Sequence, residues 1–367
     1  NHATVPCGNP VAGVDVGAEA AWDIDVGARP AVRVGVFDTG VARDHPEFTA
    51  RLEAGTCTAE PRFCQYGSDY DDDGHGTAVA GIIAARGNNV HGTTGVAWDV
   101  TPVSFKHWWG SDVTLAAAID SASHYPADRP IWIYNVSFGY SDSSNAAFRG
   151  AFNNAFLQGH LVVASSGNEN SNVPVFPAAF KLPVVSVGAL LPDGTRWEDA
   201  KTLEWPTSSD GSSYGPTVDF AAPGGRYIAT TRVLYSPYLL PGYYGLSDCY
   251  DGFGGTSAAA PAFAGAAALM LSYSLVRDTL AAEDIEHILS MTARDMAPPG
   301  RDDSTGAGLV RVEEALRWLD DFRRVEHQQV GGLSVVERGP EGYRQFWDVP
   351  TSFLPRSGAY WSKPYKL

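Results

Sequence analysis

The chain has 367 residues, of which 44% are hydrophobic and 19% charged, a composition that suits a soluble globule with a sizeable core, long for one typical domain and short for three. Its net charge of −16 argues against nucleic acid as a partner and favours solubility and ion binding. No apolar run is unbroken enough to span a membrane, and TSAAAPAFAGAAALMLSYSL (256–275) comes nearest.

In chain order, AVRVGVF (31–37) is apolar and β-branched and predicts a buried strand. Asp38 closes it at the carboxyl end, where α/β sheets place their sites, and Thr39-Gly40 turns the chain. Residues 51–67 read as a loop in which Cys57 and Cys64 enclose six residues, and a local disulfide is expected there. The run DYDDDG (69–74) reads as a solvated loop rather than a metal site. His75 then precedes TAVAGIIAA (77–85), a tightly packed helix whose Gly76, Ala80 and Gly81 allow close approach. Further helices are expected near 113–124, 146–158, 256–274 and 282–292, and strands near 131–138, 161–165, 183–190 and 217–221. The alternation predicts an α/β fold, a mostly parallel sheet with helices on both faces. Residues 191–216 read as a long surface loop, and 226–255 as an aromatic-rich insert before Ser257. No internal repeat is evident.

Asp38, His75 and Ser257 stand in the order that nucleophilic catalysis by a serine can use. A serine hydroxyl is a poor nucleophile at neutral pH, so it needs a base within hydrogen-bond reach. Histidine titrates near working pH, and a buried carboxylate fixes its tautomer. Ser257 sits at the first turn of an Ala-rich helix that Thr256 is expected to cap and Pro261 to bend. Free N–H groups there favour an oxyanion. Asn168 follows the strand LVVAS (161–165) in a Gly-Asn turn.

Together VGVFDTG (34–40), DGHGTAVAG (73–81), ASSGNEN (164–170) and GGTSAAAPAFAG (254–265) resemble the subtilisin-like (subtilase) serine peptidase family. The resemblance implies a subtilisin-like catalytic domain over 1–324, closed by a final helix within 302–319. A short β-rich extension, 325–367, would fold back on it. It implies a secreted endopeptidase that forms an acyl-enzyme on Ser257, with His75 as general base and acid and Asp38 orienting His75. Asn168 and the Ser257 N–H would form the oxyanion hole. A macrocyclase or ligase that passes the acyl group to an amine, and a non-enzymatic binding or toxin subunit, are the alternatives.

By the same resemblance, IWIYNVSFG (131–139) pairs with a peptide substrate as an added strand. Ser137, Phe138 and Gly139 would line one side of the specificity pocket, and Ala164, Ser165, Ser166 and Gly167 the other. Val175 would be its floor and Glu169 its rim. Tyr, Phe, Leu or Met before the cleaved bond is expected ahead of Lys or Arg. Trp108 and Trp109 either wall an outer apolar subsite or pack in the core. The loop RGNNVHGTTGVA (86–97) has the length of the calcium loop in kexin-like relatives. A structural calcium would be held by Glu47, the Asn89 side chain and the carbonyls of Arg86, His91 and Thr93, with Asp15 a further candidate. The four cysteines allow three pairings, and Cys57–Cys64 with Cys7–Cys249 is the expected one. Disulfides and family together imply an oxidising, extracytoplasmic compartment. A signal peptide and an N-terminal propeptide are expected in the precursor, and a monomer in the mature form.

Overall fold

A computed structural model describes residues 11–27, 32–90, 92–107, 111–142, 144–180, 184–199, 208–225, 228, 230–233, 244–246, 253–273, 280–296, 298–322, 336–339 and 342–345. Its centre is a seven-stranded sheet made of β1 (Arg33–Asp38), β2 (Glu53–Cys57), β3 (Thr101–Lys106), β4 (Ile133–Val136), β5 (Leu161–Ser165), β6 (Val184–Leu190) and β7 (Phe220–Pro223). The strand order is β2-β3-β1-β4-β5-β6-β7, and every pairing is parallel. From β1 the chain first reaches the edge on one side as β2 and then returns to insert β3 between β2 and β1. It then crosses back to lay β4 through β7 on the other. The reversal beside β1 falls at the carboxyl ends of β1 and β4, where such sheets usually bind a ligand.

The helices are α1 (Ala18–Ala21), α2 (Pro61–Cys64), α3 (His75–Ala84), α4 (Asp112–Ser123), α5 (Ala146–Leu157), α6 (Thr256–Ser272), α7 (Ala282–Thr292) and α8 (Val312–Phe322). Alternate residues of β1 point to opposite faces, as a strand's period of two requires. Val34 and Val36 belong to the same core cluster as Val79 and Ile83 of α3 and Phe263 of α6, whereas Phe37 belongs to a second cluster with Leu115 and Ile119 of α4 and Phe148 and Phe152 of α5. All 17 residues of α6 are buried. Its small side chains let neighbouring backbones come close, and a Cβ at Gly265 would lie 2.7 Å from Val96 Cβ.

The structure has the expected α/β architecture, with helices on both faces. Two of its strands were not expected. At the sheet edge, β2 alternates between half-buried and exposed residues with no apolar period. In β3 a Pro, a Ser and a Lys interrupt the apolar signal, yet Ser104 and Lys106 are both buried. Their polar atoms are satisfied by a segment distant in sequence. Ser104 Oγ donates to the Ser68 carbonyl at 2.5 Å, and Lys106 Nζ to the Tyr70 carbonyl at 3.0 Å. The strand β4 is shorter than expected, β7 lies a few residues later, and α3 begins at His75 itself. Cys57 and Cys64 form the expected disulfide, which ties β2 to α2. Short antiparallel hairpins join β8 (Thr231–Val233) to β9 (Tyr244–Leu246) and β10 (Val336–Gly339) to β11 (Gly342–Gln345). Cys7, Cys249, Trp108, Trp109, His91 and most of 325–367 lie outside the described residues. Among the described residues no helix is long and apolar enough to cross a membrane.

Candidate active site

Asp38 ends β1 fully buried, and its Oδ1 accepts the Thr39 N–H at 2.8 Å. His75 opens α3, and its Nδ1 lies 2.8 Å from the same Oδ1. That bond keeps the proton on Nδ1 and leaves Nε2 to act as a base. Burial pulls His75 toward the neutral imidazole. Asp38, and behind it Asp73 and Asp71, more than offset this and hold its pKa above the usual histidine value.

Asp71 organises this pair from behind. Its Oδ1 accepts the Thr39 hydroxyl at 2.8 Å and the Gly74 N–H at 2.9 Å, and its Oδ2 accepts the Thr77 N–H at 2.9 Å and hydroxyl at 2.6 Å. Thr39 Oγ1 in turn accepts the Gly76 N–H at 2.9 Å. The turn after Asp38 is thereby laced to the first turn of α3. A Cβ at Gly76 would stand 2.1 Å from the Gly40 carbonyl oxygen and 2.9 Å from Asp38 Cβ, so the two elements meet only because this residue is glycine.

The chain enters α6 through Gly255, at φ +77°, and Thr256 is the first helical residue rather than the cap. Ser257 comes second, so its N–H lies outside the helical ladder. Pro261 lacks an N–H and cannot bond the carbonyl four residues back, that of Ser257. Ser137 Oγ donates to that carbonyl at 3.1 Å instead, while Ser257 Oγ donates to the Ser137 carbonyl at 3.3 Å. Asn135 Nδ2 supports Ser137 Oγ at 3.0 Å. Asn168 Oδ1 accepts the Thr256 N–H at 2.9 Å and hydroxyl at 2.7 Å, which leaves Nδ2 as the donor of this side chain. A Cβ at Gly255 would come within 3.0 Å of Asn168 Oδ1. Phe138 and Phe253 flank the His75 ring at 5.0 and 5.1 Å between centroids.

Val175 packs between Gly139 and Gly167, on the two segments expected to wall the specificity pocket. Its Cγ1 would be 2.2 Å from a Cβ at Gly139, and its Cγ2 2.8 Å from one at Gly167. The Glu169 carboxylate accepts the Ser213 hydroxyl at 3.0 Å and also faces Gly167. Ala164 and Ser165 are buried within β5, and the Ser166 N–H bonds the Val187 carbonyl at 3.1 Å. Tyr140 pairs with Phe176 through two backbone bonds of 2.7 and 2.8 Å, which joins the segment after Gly139 to the Val175 segment.

The expected calcium ligands do not assemble in this way. Glu47 is buried, and its carboxylate accepts the Arg86 N–H at 3.1 Å, Asn89 Nδ2 at 2.9 Å and the Thr93 N–H. Calcium requires oxygens turned toward it, whereas this loop turns N–H groups toward Glu47. Asp15 lies elsewhere, accepting the Gly17 N–H at 2.6 Å and pairing with Arg311 at 3.2 Å. Among the described residues no three His, Cys, Asp or Glu side chains converge to hold a metal. The residues present here do not fit the ion.

The sequence profile of the subtilase family matches residues 29–308. The chain belongs to the subtilase family of serine peptidases. It is 32% identical to Subtilisin DY of Bacillus licheniformis over 288 residues, covering 77% of this chain and 90% of that protein. It is 30% identical to an extracellular protease of Xanthomonas campestris pv. campestris, covering 81% of this chain and 52% of that one. A solved protease structure from Pseudoalteromonas arctica superposes on it with a TM-score of 0.66 at 28% identity, over 86% of this chain and 96% of that chain. Sequence reading missed Asp71 and Thr39 in this subtilase. Asp71 sits in an acidic run that looks solvated, and no local signal separates it from Asp72 and Asp73.

Proposed function

We propose that the chain is a secreted serine endopeptidase that works through an acyl-enzyme on Ser257. Ser257 Oγ attacks the peptide carbonyl carbon, and His75 Nε2 takes its proton. Asp38 holds the imidazole and stabilises the imidazolium. Charge developing on the carbonyl oxygen is met by Asn168 Nδ2 and the Ser257 N–H, donors fixed before the reaction begins. His75 then returns the proton to the leaving amine as the C–N bond breaks. A water repeats the sequence and frees the acid. The observation that carries this reading is the 2.8 Å Asp38–His75 bond at the reversal of the sheet, beside a Ser257–Asn168 pair locked together by Thr256.

Ser137, Phe138 and Gly139 form one wall of the pocket for the residue before the cleaved bond, and Ala164, Ser165, Ser166 and Gly167 the other. Val175 supplies the floor and Glu169 the rim. Because Val175 touches both walls, Leu, Met and smaller side chains are accepted ahead of Tyr and Phe. An extracytoplasmic setting is supported by the family and by the extracellular protease among the relatives, and an N-terminal propeptide by the family alone.

The test is incubation with a fluorophosphonate probe and a peptide library, with Ser257→Ala as control. Labelling at Ser257 with matched cleavage is expected. Absence of labelling in the folded protein would overturn the reading, and joining of peptides to a supplied amine would replace it with acyl transfer.

A further inference from the structure

Two charged side chains with no part in the proposed chemistry lie together under the 84–100 segment. Glu47 and Arg51 are both on the stretch that follows β1. Around Glu47 the loop contributes donors: the N–H groups of Arg86 and Thr93 and the Asn89 side-chain amide. Gly92, at φ +57°, packs so closely that a Cβ would stand 2.1 Å from Glu47 Oε1.

Around Arg51 the same region contributes three of the four acceptors, and Glu47 itself the fourth. The Arg51 guanidinium donates to the carbonyls of Ala84 at 2.7 Å, Glu47 at 2.9 Å, Trp98 at 2.7 Å and Val100 at 3.1 Å. The Ala84 carbonyl is at the C-terminus of α3, where a positive charge complements the helix dipole. Four converging carbonyls are what a bound cation would require of its site. Here a planar fork of N–H donors meets them, a geometry suited to several fixed acceptors at once.

We propose that Glu47 and Arg51 replace a bound cation in ordering residues 84–100, so that the segment keeps its structure without calcium. The carboxylate gathers the loop's donors and the guanidinium gathers its carbonyls. Both charges are covalently part of the chain and cannot be removed by a chelator.

The experiment is hydrogen exchange read by mass spectrometry on the full chain, carrying Ser257→Ala to prevent self-cleavage. Exchange is compared in excess EDTA and in millimolar calcium chloride. Peptides covering 84–100 are expected to show equal protection in both. Arg51→Met and Asn89→Ala are expected to speed exchange in those peptides by about tenfold or more, as expected for hydrogen bonds lost from charged groups. Peptides from α6 report whether each variant is still folded, and Asn89→Ala, a milder change at the loop, keeps the test open should Arg51→Met unfold. Calcium-dependent protection confined to 84–100 would overturn the proposal. So would unchanged exchange there in a folded Asn89→Ala chain.

Discussion

Asp38, His75 and Asp73 together set the protonation of the imidazole, and this has a directional consequence. The negative neighbours hold the His75 pKa above its ordinary value despite burial. Catalysis needs the neutral ring, so kcat/KM falls as pH drops through that raised pKa. The acid limb of the pH profile is therefore expected above the ordinary histidine value of about 6.5. Asp73→Asn removes one negative neighbour and should move the limb to lower pH. A limb that stayed in place would exclude an electrostatic part for Asp73. Asn168 offers a second residue-scale prediction. Asn168→Ala should lower kcat by about a hundred- to a thousandfold with little change in KM, because its donor matters only once the oxyanion forms.

At the scale of elements, the segment after β4, the N-terminus of α6 and the Val175 segment are held against one another. Pro261 leaves the Ser257 carbonyl without its helical donor, and Ser137 Oγ fills the gap. Ser137→Ala should destabilise the fold by about 1–3 kcal/mol, the cost of leaving a buried acceptor unpaired, measured by urea unfolding. The pocket follows from the same arrangement, because Val175 occupies the space between Gly139 and Gly167. Val175→Gly should therefore raise kcat/KM for Phe relative to Ala before the cleaved bond by about tenfold or more. An unchanged ratio would show that another side chain limits the pocket.

In the whole molecule, stability is concentrated where α6 crosses the sheet. Phe263 is fully buried, and its ring meets Phe220 of β7 with 4.9 Å between centroids. Phe263→Ala should cost about 3–5 kcal/mol. The Cys57–Cys64 bridge closes a short loop, with a sequence separation of 7, on an edge strand. Opening it should cost about 2–3 kcal/mol at most by loop entropy. Denaturant midpoints in a Ser257→Ala background compare the two. A larger loss on opening the disulfide would contradict a core-dominated fold.

Local chemistry determined much of this protein. The apolar run ending at Asp38, the small-residue helix after His75 and the Ala-rich helix holding Ser257 declare themselves because period and composition act within a few residues. The parallel sheet follows from their alternation. The tertiary structure decided what depends on partners distant in sequence. In β3, Lys106 and Ser104 look like breaks in a strand until Tyr70 and Ser68 satisfy them. Asp71 looks solvated until Thr39 and Thr77 close around it. Glu47 and the 86–97 loop look like an ion site until the Arg86 and Thr93 N–H groups and the Asn89 amide close on the carboxylate. Residue type specifies which donors and acceptors a segment owns, whereas their direction is set by the packed backbone, and direction decides whether a carboxylate meets a cation or an amide.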